Sequence, residues 1–166
     1  VRKIPLRIAL VGIILLTATG CDQDRITALE KQNQELKAQM EKGHATADYD
    51  LQAKCAADAR SWFDRTWRAD KDTLLLNFTD HYNKAENKCF ILVEYHFNYS
   101  KDAWANNMSL WDVYENSEYG DFSENHITHI TPTFTVEDRV DTCELGNSKC
   151  TSVNGFNDLA RPYMSN

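Results

Sequence analysis

The longest apolar run of this sequence, Ile8 to Leu16, covers only nine residues. A helix that crosses a bilayer needs about 18 or more, so this run is too short to span. Positive charge is also scarce: 18 Lys and Arg stand against 25 Asp and Glu, giving a net charge of −7. An acidic surface repels phosphates, which argues against nucleic acid as a direct partner. Catalytic and metal signatures are missing as well. There is no G-x-S-x-G nucleophile motif, no D-x-D-x-D-G calcium loop and no recognisable cofactor motif. The chemistry that those motifs carry is therefore not expected.

What is present begins at the N-terminus. Arg2, Lys3 and Arg7 precede the apolar run, and the small residues Thr17 to Gly20 follow it. Basic, apolar and small segments in that order are the layout of an export signal, assigned to residues 1–20. Export places the five cysteines in an oxidising compartment, where an odd thiol is a liability. Setting Cys21 aside leaves Cys55, Cys89, Cys143 and Cys150, an even set. The stretch "TATGC" resembles the lipobox of bacterial lipoproteins, though Ala18 stands where leucine is usual. The resemblance implies that Cys21 becomes the first mature residue and carries a diacylglyceryl thioether and an N-acyl chain such as palmitate. Several acyl chains hold firmly, because each buried methylene contributes about 0.8 kcal/mol. In the enterobacterial lipoproteins this resembles, an Asp after the lipidated Cys retains the protein at the inner membrane. Asp22 implies that location, facing the periplasm, with outer membrane or cell surface as the alternative.

Residues 21–44 read as a lipidated N-terminus and helical stalk. Asp24 to Lys42 has no proline or glycine, and Gly43 is expected to end it. Ile26, Leu29, Leu36 and Met40 fit a and d positions, with Asn33 at the intervening a. About two and a half heptads suit a short spacer as well as a weak homo-oligomeric coiled coil.

Residues 45–166 read as a small α+β domain. An amphipathic helix is expected over Thr46 to Arg68, capped by Thr46 or Asp48. An antiparallel meander of about four to five strands should follow. Its expected strands are Thr73 to Asn83 (Leu74, Leu76, Phe78 and Tyr82 inward), Lys88 to Tyr99, a pair around Asn116, and Ile130 to Val140. A C-terminal helix, broken near Pro162, should turn Phe156, Leu159, Tyr163 and Met164 to the core. Four cysteines allow three pairings. Cys55–Cys89 would staple helix to strand, and Cys143–Cys150 would close the loop "CELGNSKC". The cysteine pattern with "HYNKAENKC" and "KCTSVNGFNDLARPYM" is similar to small exported bacterial proteins of uncharacterised function. That resemblance implies the fold and transfers no catalytic residue.

Several residues invite a chemical reading. His126 and His129 are three apart, but extended sequence turns such rings to opposite faces, and no third ligand follows. Asp80–His81 and Glu94–His96 could form acid–base pairs. Exposed strand polarity is the simpler account of them. Asp112, Glu115, Glu118, Asp121 and Glu124 read as a solvated acidic face. Trp104, Trp111, Tyr114 and Tyr119 read as a small aromatic core or as a contact surface. The expectation is a non-enzymatic, membrane-anchored protein, without cofactor or metal, that presents its domain to an envelope protein partner. The alternatives are an envelope hydrolase or a small-ligand or glycan module.

Overall fold

The computed structural model describes residues 18–130 and 134–165; for 18–22, 129, 130 and 134 only the backbone is described. The signal segment therefore lies almost wholly outside the described residues, and so do the side chains of Cys21 and Asp22. The chain divides into two compact units, Val1–Ala47 and Asp48–Asn166.

One helix, α1, runs Ala18–Thr66, where the sequence suggested a stalk and a second helix separated at Gly43. Gly43 costs about 1 kcal/mol relative to alanine, and good helix formers on both sides tolerate that. Thr46 does not cap a new helix. Its hydroxyl donates back to the Lys42 carbonyl at 3.0 Å, as a threonine inside a helix does. In the first unit Ile26, Leu29, Leu36 and Met40 are all exposed.

The second unit is α+β. Strands β1 (Thr73–Asn83), β2 (Lys88–Ser100), β3 (Ala103–Asp112), β4 (Ser117–Ile130) and β5 (Phe134–Leu145) form an antiparallel meander. A two-residue β6 (Ser148–Lys149) and helix α2 (Val153–Ala160) complete it. The five long strands agree with the expected meander; β6 is the extra one, inside the loop "CELGNSKC". Two hairpin turns rest on left-handed asparagines, Asn87 (φ 54°) and Asn116 (φ 51°), a residue whose short amide tolerates that backbone. Each is held by an aromatic: Tyr82 Oη donates to Asn87 Oδ1 and Trp62 Nε1 to Asn116 Oδ1, both at 2.7 Å.

The sheet is covered on both faces. On one, Cys55, Ala59, Trp62 and Phe63 of α1 pack on Tyr82, Cys89, Ile91 and Val93. On the other, Phe156, Leu159 and Ala160 of α2, with Tyr163 and Met164, pack on Phe90, Leu110, Phe122 and Leu145. Strand alternation assigns the faces: odd residues of β2 look to α1 and even ones to α2. Both expected disulfides are present, Cys55–Cys89 and Cys143–Cys150, with Cα separations of 5.4 and 5.0 Å. One residue expected to face inward does not. Leu74 is 56% exposed, because the pairing register shifts between Thr73 and Leu75.

Candidate functional site

The acidic run is a solvated face only in part: Glu115 and Glu118 are exposed, Asp121 and Glu124 are half-buried, and Asp112 is not solvated at all. Asp112 is fully buried; one carboxylate oxygen accepts the Tyr114 and Glu115 N–H groups, and the other lies 3.1 Å from Lys88 Nζ. Glu115 meets the same lysine at 2.9 Å. Hydrogen bonds to Tyr119 and Glu115 hold the Lys88 ammonium well above the ordinary lysine value. Glu124 lies 3.4 Å from His126. That leaves Glu118 and Asp121.

These two carboxylates line a groove on the α1 face of the sheet, of about 190 Å³, together with Trp67, Tyr95, Trp111, Asn107, Ser109 and Ser123. Trp67 follows the end of α1 and lies 5.9 Å from the Tyr95 ring. Trp111 is backed by Trp62 at 5.5 Å, and its indole N–H donates to Ser109 Oγ at 2.9 Å. The Trp67 indole N–H is buried without a hydrogen-bond partner among the described residues. A bulge in β4 helps to shape the groove. Leu110 pairs with Gly120 and Trp111 with Glu118, so Tyr119 is skipped and packs on Phe90 across the sheet.

Desolvation by the groove wall, then the charge of Asp121, push the Glu118 carboxyl above the ordinary glutamate value of 4.5. A carboxyl raised in this way binds its proton more tightly folded than unfolded. Its cost to stability is absent below the unfolded value and grows as pH rises through the folded one. Glu118→Gln should therefore be more stable than the parent at neutral pH. The gap between their urea midpoints should close by about pH 3.5, where both side chains are neutral.

The other expected residues fall elsewhere. Glu94 and His96 are 3.0 Å apart on the α2 face, within ionic reach but not aligned for a hydrogen bond. His96 neighbours Trp104, whose ring stacks on His126 at 3.8 Å, and His126 Nδ1 meets Asp138 at 2.7 Å. His81 is opposite Phe90 while His96 is opposite Leu75. Six strand positions, about 20 Å, separate the two histidines along the sheet. Thus His81, Glu94 and His96 do not converge. His126 and His129 both lie in β4, and the His129 side chain is not among those described. Among the described residues no group of three or more His, Cys, Asp or Glu could hold a metal ion, and no helix is long and apolar enough to cross a membrane.

The groove is not legible in the sequence, because its residues come from four separate segments. The available signal is the α1 face of β3, where Asn107 and Ser109 are polar beside Trp111, at positions where a covered strand would be apolar.

The two edges of the sheet also differ. The β5 edge carries Glu137, Asp138, Arg139 and Asp141, and charges of this kind discourage strand pairing. The β1 edge has no charged residue from Thr73 to Thr79, and Leu74 and Leu75 are exposed there. The Tyr82 N–H points off this edge and is taken by Gln52 Oε1 at 2.9 Å. By antiparallel alternation, Leu76 and Phe78 present their N–H and C=O groups outward in the same way.

Comparison with known proteins gives no match: no family model fits the sequence, and no curated protein or solved structure is similar to it.

Proposed function

We propose that this chain is a non-enzymatic lipoprotein of the bacterial cell envelope that binds another envelope protein through its disulfide-bonded domain. The uncharged β1 edge carries the reading. An edge strand with exposed leucines and outward backbone groups is a template for an added strand. The partner's binding segment is then extended, with apolar side chains to meet Leu74 and Leu75.

Anchoring at Cys21 is part of the same proposal. Cysteine arithmetic supports it, since the other four cysteines are used in two disulfides. Asp22 supports retention at the inner membrane. The exposed Ile26, Leu29, Leu36 and Met40 would let tethered copies pair weakly through α1, with Asn33 setting the register.

Two substitutions test these points separately. Cys21→Ser should abolish palmitate labelling and leave the chain unprocessed or released from membranes. Membrane-bound protein of mature size would show that the anchor is elsewhere. Leu75→Lys places a charge on the β1 edge and should lower recovery of the partner at least tenfold without lowering the melting temperature. Unchanged recovery would remove β1 from the interface. The small-ligand reading is favoured by one specific observation, the groove beside Trp67.

A further inference from the structure

We propose that the groove between the end of α1 and strands β2 to β4 binds the head of a small organic cation, a quaternary or alkylated ammonium group. Its chemistry is complementary to such a group on three counts. Trp67, Tyr95 and Trp111 line one groove. Aromatic faces attract cations through the ring quadrupole, and several rings around one space are the usual means of holding an alkylated ammonium. The rings are held in place, Trp111 by Trp62 behind it and by its bond to Ser109, Trp67 by contact with Tyr95.

The second count is charge. Glu118 and Asp121 line the same space, and no lysine, arginine or histidine is paired with either among the described residues. Both are acidic, and the charge of Asp121 adds to desolvation in raising the Glu118 carboxyl. An incoming cation offsets that charge, whereas a neutral sugar stacked on the same rings leaves it in place. The nearby acidic groups are otherwise occupied: Asp112 and Glu115 by Lys88, Glu124 beside His126.

The third count is size. At about 190 Å³ the groove lies below the ~300–1,000 Å³ of drug-sized ligand sites. It takes a compact head group and leaves a nucleotide or oligosaccharide mostly outside. Asn107, Ser109 and Ser123 add hydroxyl and amide groups for a polar substituent beside the cation.

This inference does not rest on strand pairing at β1, and the two can fail separately. The test is a calorimetric titration of the purified full chain with choline, its neutral carbon isostere and N-acetylglucosamine, repeated with the E118Q/D121N double variant. Choline should saturate one site. The isostere should bind at least tenfold more weakly, and the double variant should lose choline affinity at least tenfold while melting no lower than the parent. Equal binding of choline and its isostere would overturn the proposal. So would preferred binding of the sugar, or no saturable choline binding at millimolar concentration. Tyr95→Leu provides a second arm that leaves the carboxylates in place. Weaker choline binding by a folded Tyr95→Leu chain supports the aromatic contact, and unchanged binding contradicts it.

Discussion

Replacing Cys55 and Cys89 together by alanine should lower the free energy of unfolding by about 4 kcal/mol, from the loop entropy that the bond removes from the unfolded chain. The bond links residues 34 apart, α1 to β2, and both cysteines are fully buried. It sits at the centre of one core: Ala59, Trp62, Tyr82, Ile91 and Val93 share its cluster. The Cys143–Cys150 bond spans a separation of seven and closes a turn already tied by the Cys150 N–H to the Cys143 carbonyl. Its removal should cost about 2.5 kcal/mol by the same relation. Denaturant unfolding of the two double variants measures the difference. Equal losses would mean that loop length does not govern these bonds. A chain that fails to form the α1–β2 bond would lose a large part of a typical domain's 5–15 kcal/mol of stability.

Gly120→Ala should be the most damaging single methyl addition in the sheet. A Cβ at this position would lie 2.3 Å from the Glu144 carbonyl oxygen and 2.5 Å from the Leu145 Cα. Both are backbone atoms of β5, so no side-chain rotation can relieve the clash, and the two strands must separate locally. Gly120 pairs with Leu145, whose side chain is buried beside Phe90 and Phe156. The expected loss is about 3 kcal/mol, the upper end of ordinary overpacking costs. Gly43→Ala offers the contrast. Nothing lies within 4 Å of a Cβ there, and alanine favours helix by about 1 kcal/mol. A Gly120→Ala chain as stable as the parent would mean that β4 and β5 are not paired as described.

Much of the domain was readable because local signals agree with the final packing. The span of β1, Thr73 to Asn83, follows from alternation between a polar turn and "NKAENK". Phe156, Leu159, Tyr163 and Met164 reach the core as helical spacing implies. The cysteines pair as loop and face arguments favour. The failures share one cause, which is that register and neighbours override local pattern. Gly43 signals a helix end, yet flanking helix formers carry α1 through it. Leu74 alternates inward on paper, yet a register shift at the start of β1 turns it out. The acidic run has no base within it, yet Lys88 of β2 reaches Asp112 and Glu115 from the adjacent strand. Trp111, Glu118 and Asp121 stood in the sequence as an aromatic and two surface acids. Only the β3–β4 bulge and the end of α1 bring them around one groove.

The central claim, a domain that recruits an envelope partner by its uncharged edge, is best tested by photo-crosslinking in intact cells. A photoreactive residue is placed at Leu75 on the β1 edge or at Val136 on the charged β5 edge, positions that are both exposed. A discrete crosslinked partner from position 75, reduced by Cys21→Ser and absent from position 136, is the result this account predicts. The same product from both edges, or none from position 75, would contradict it.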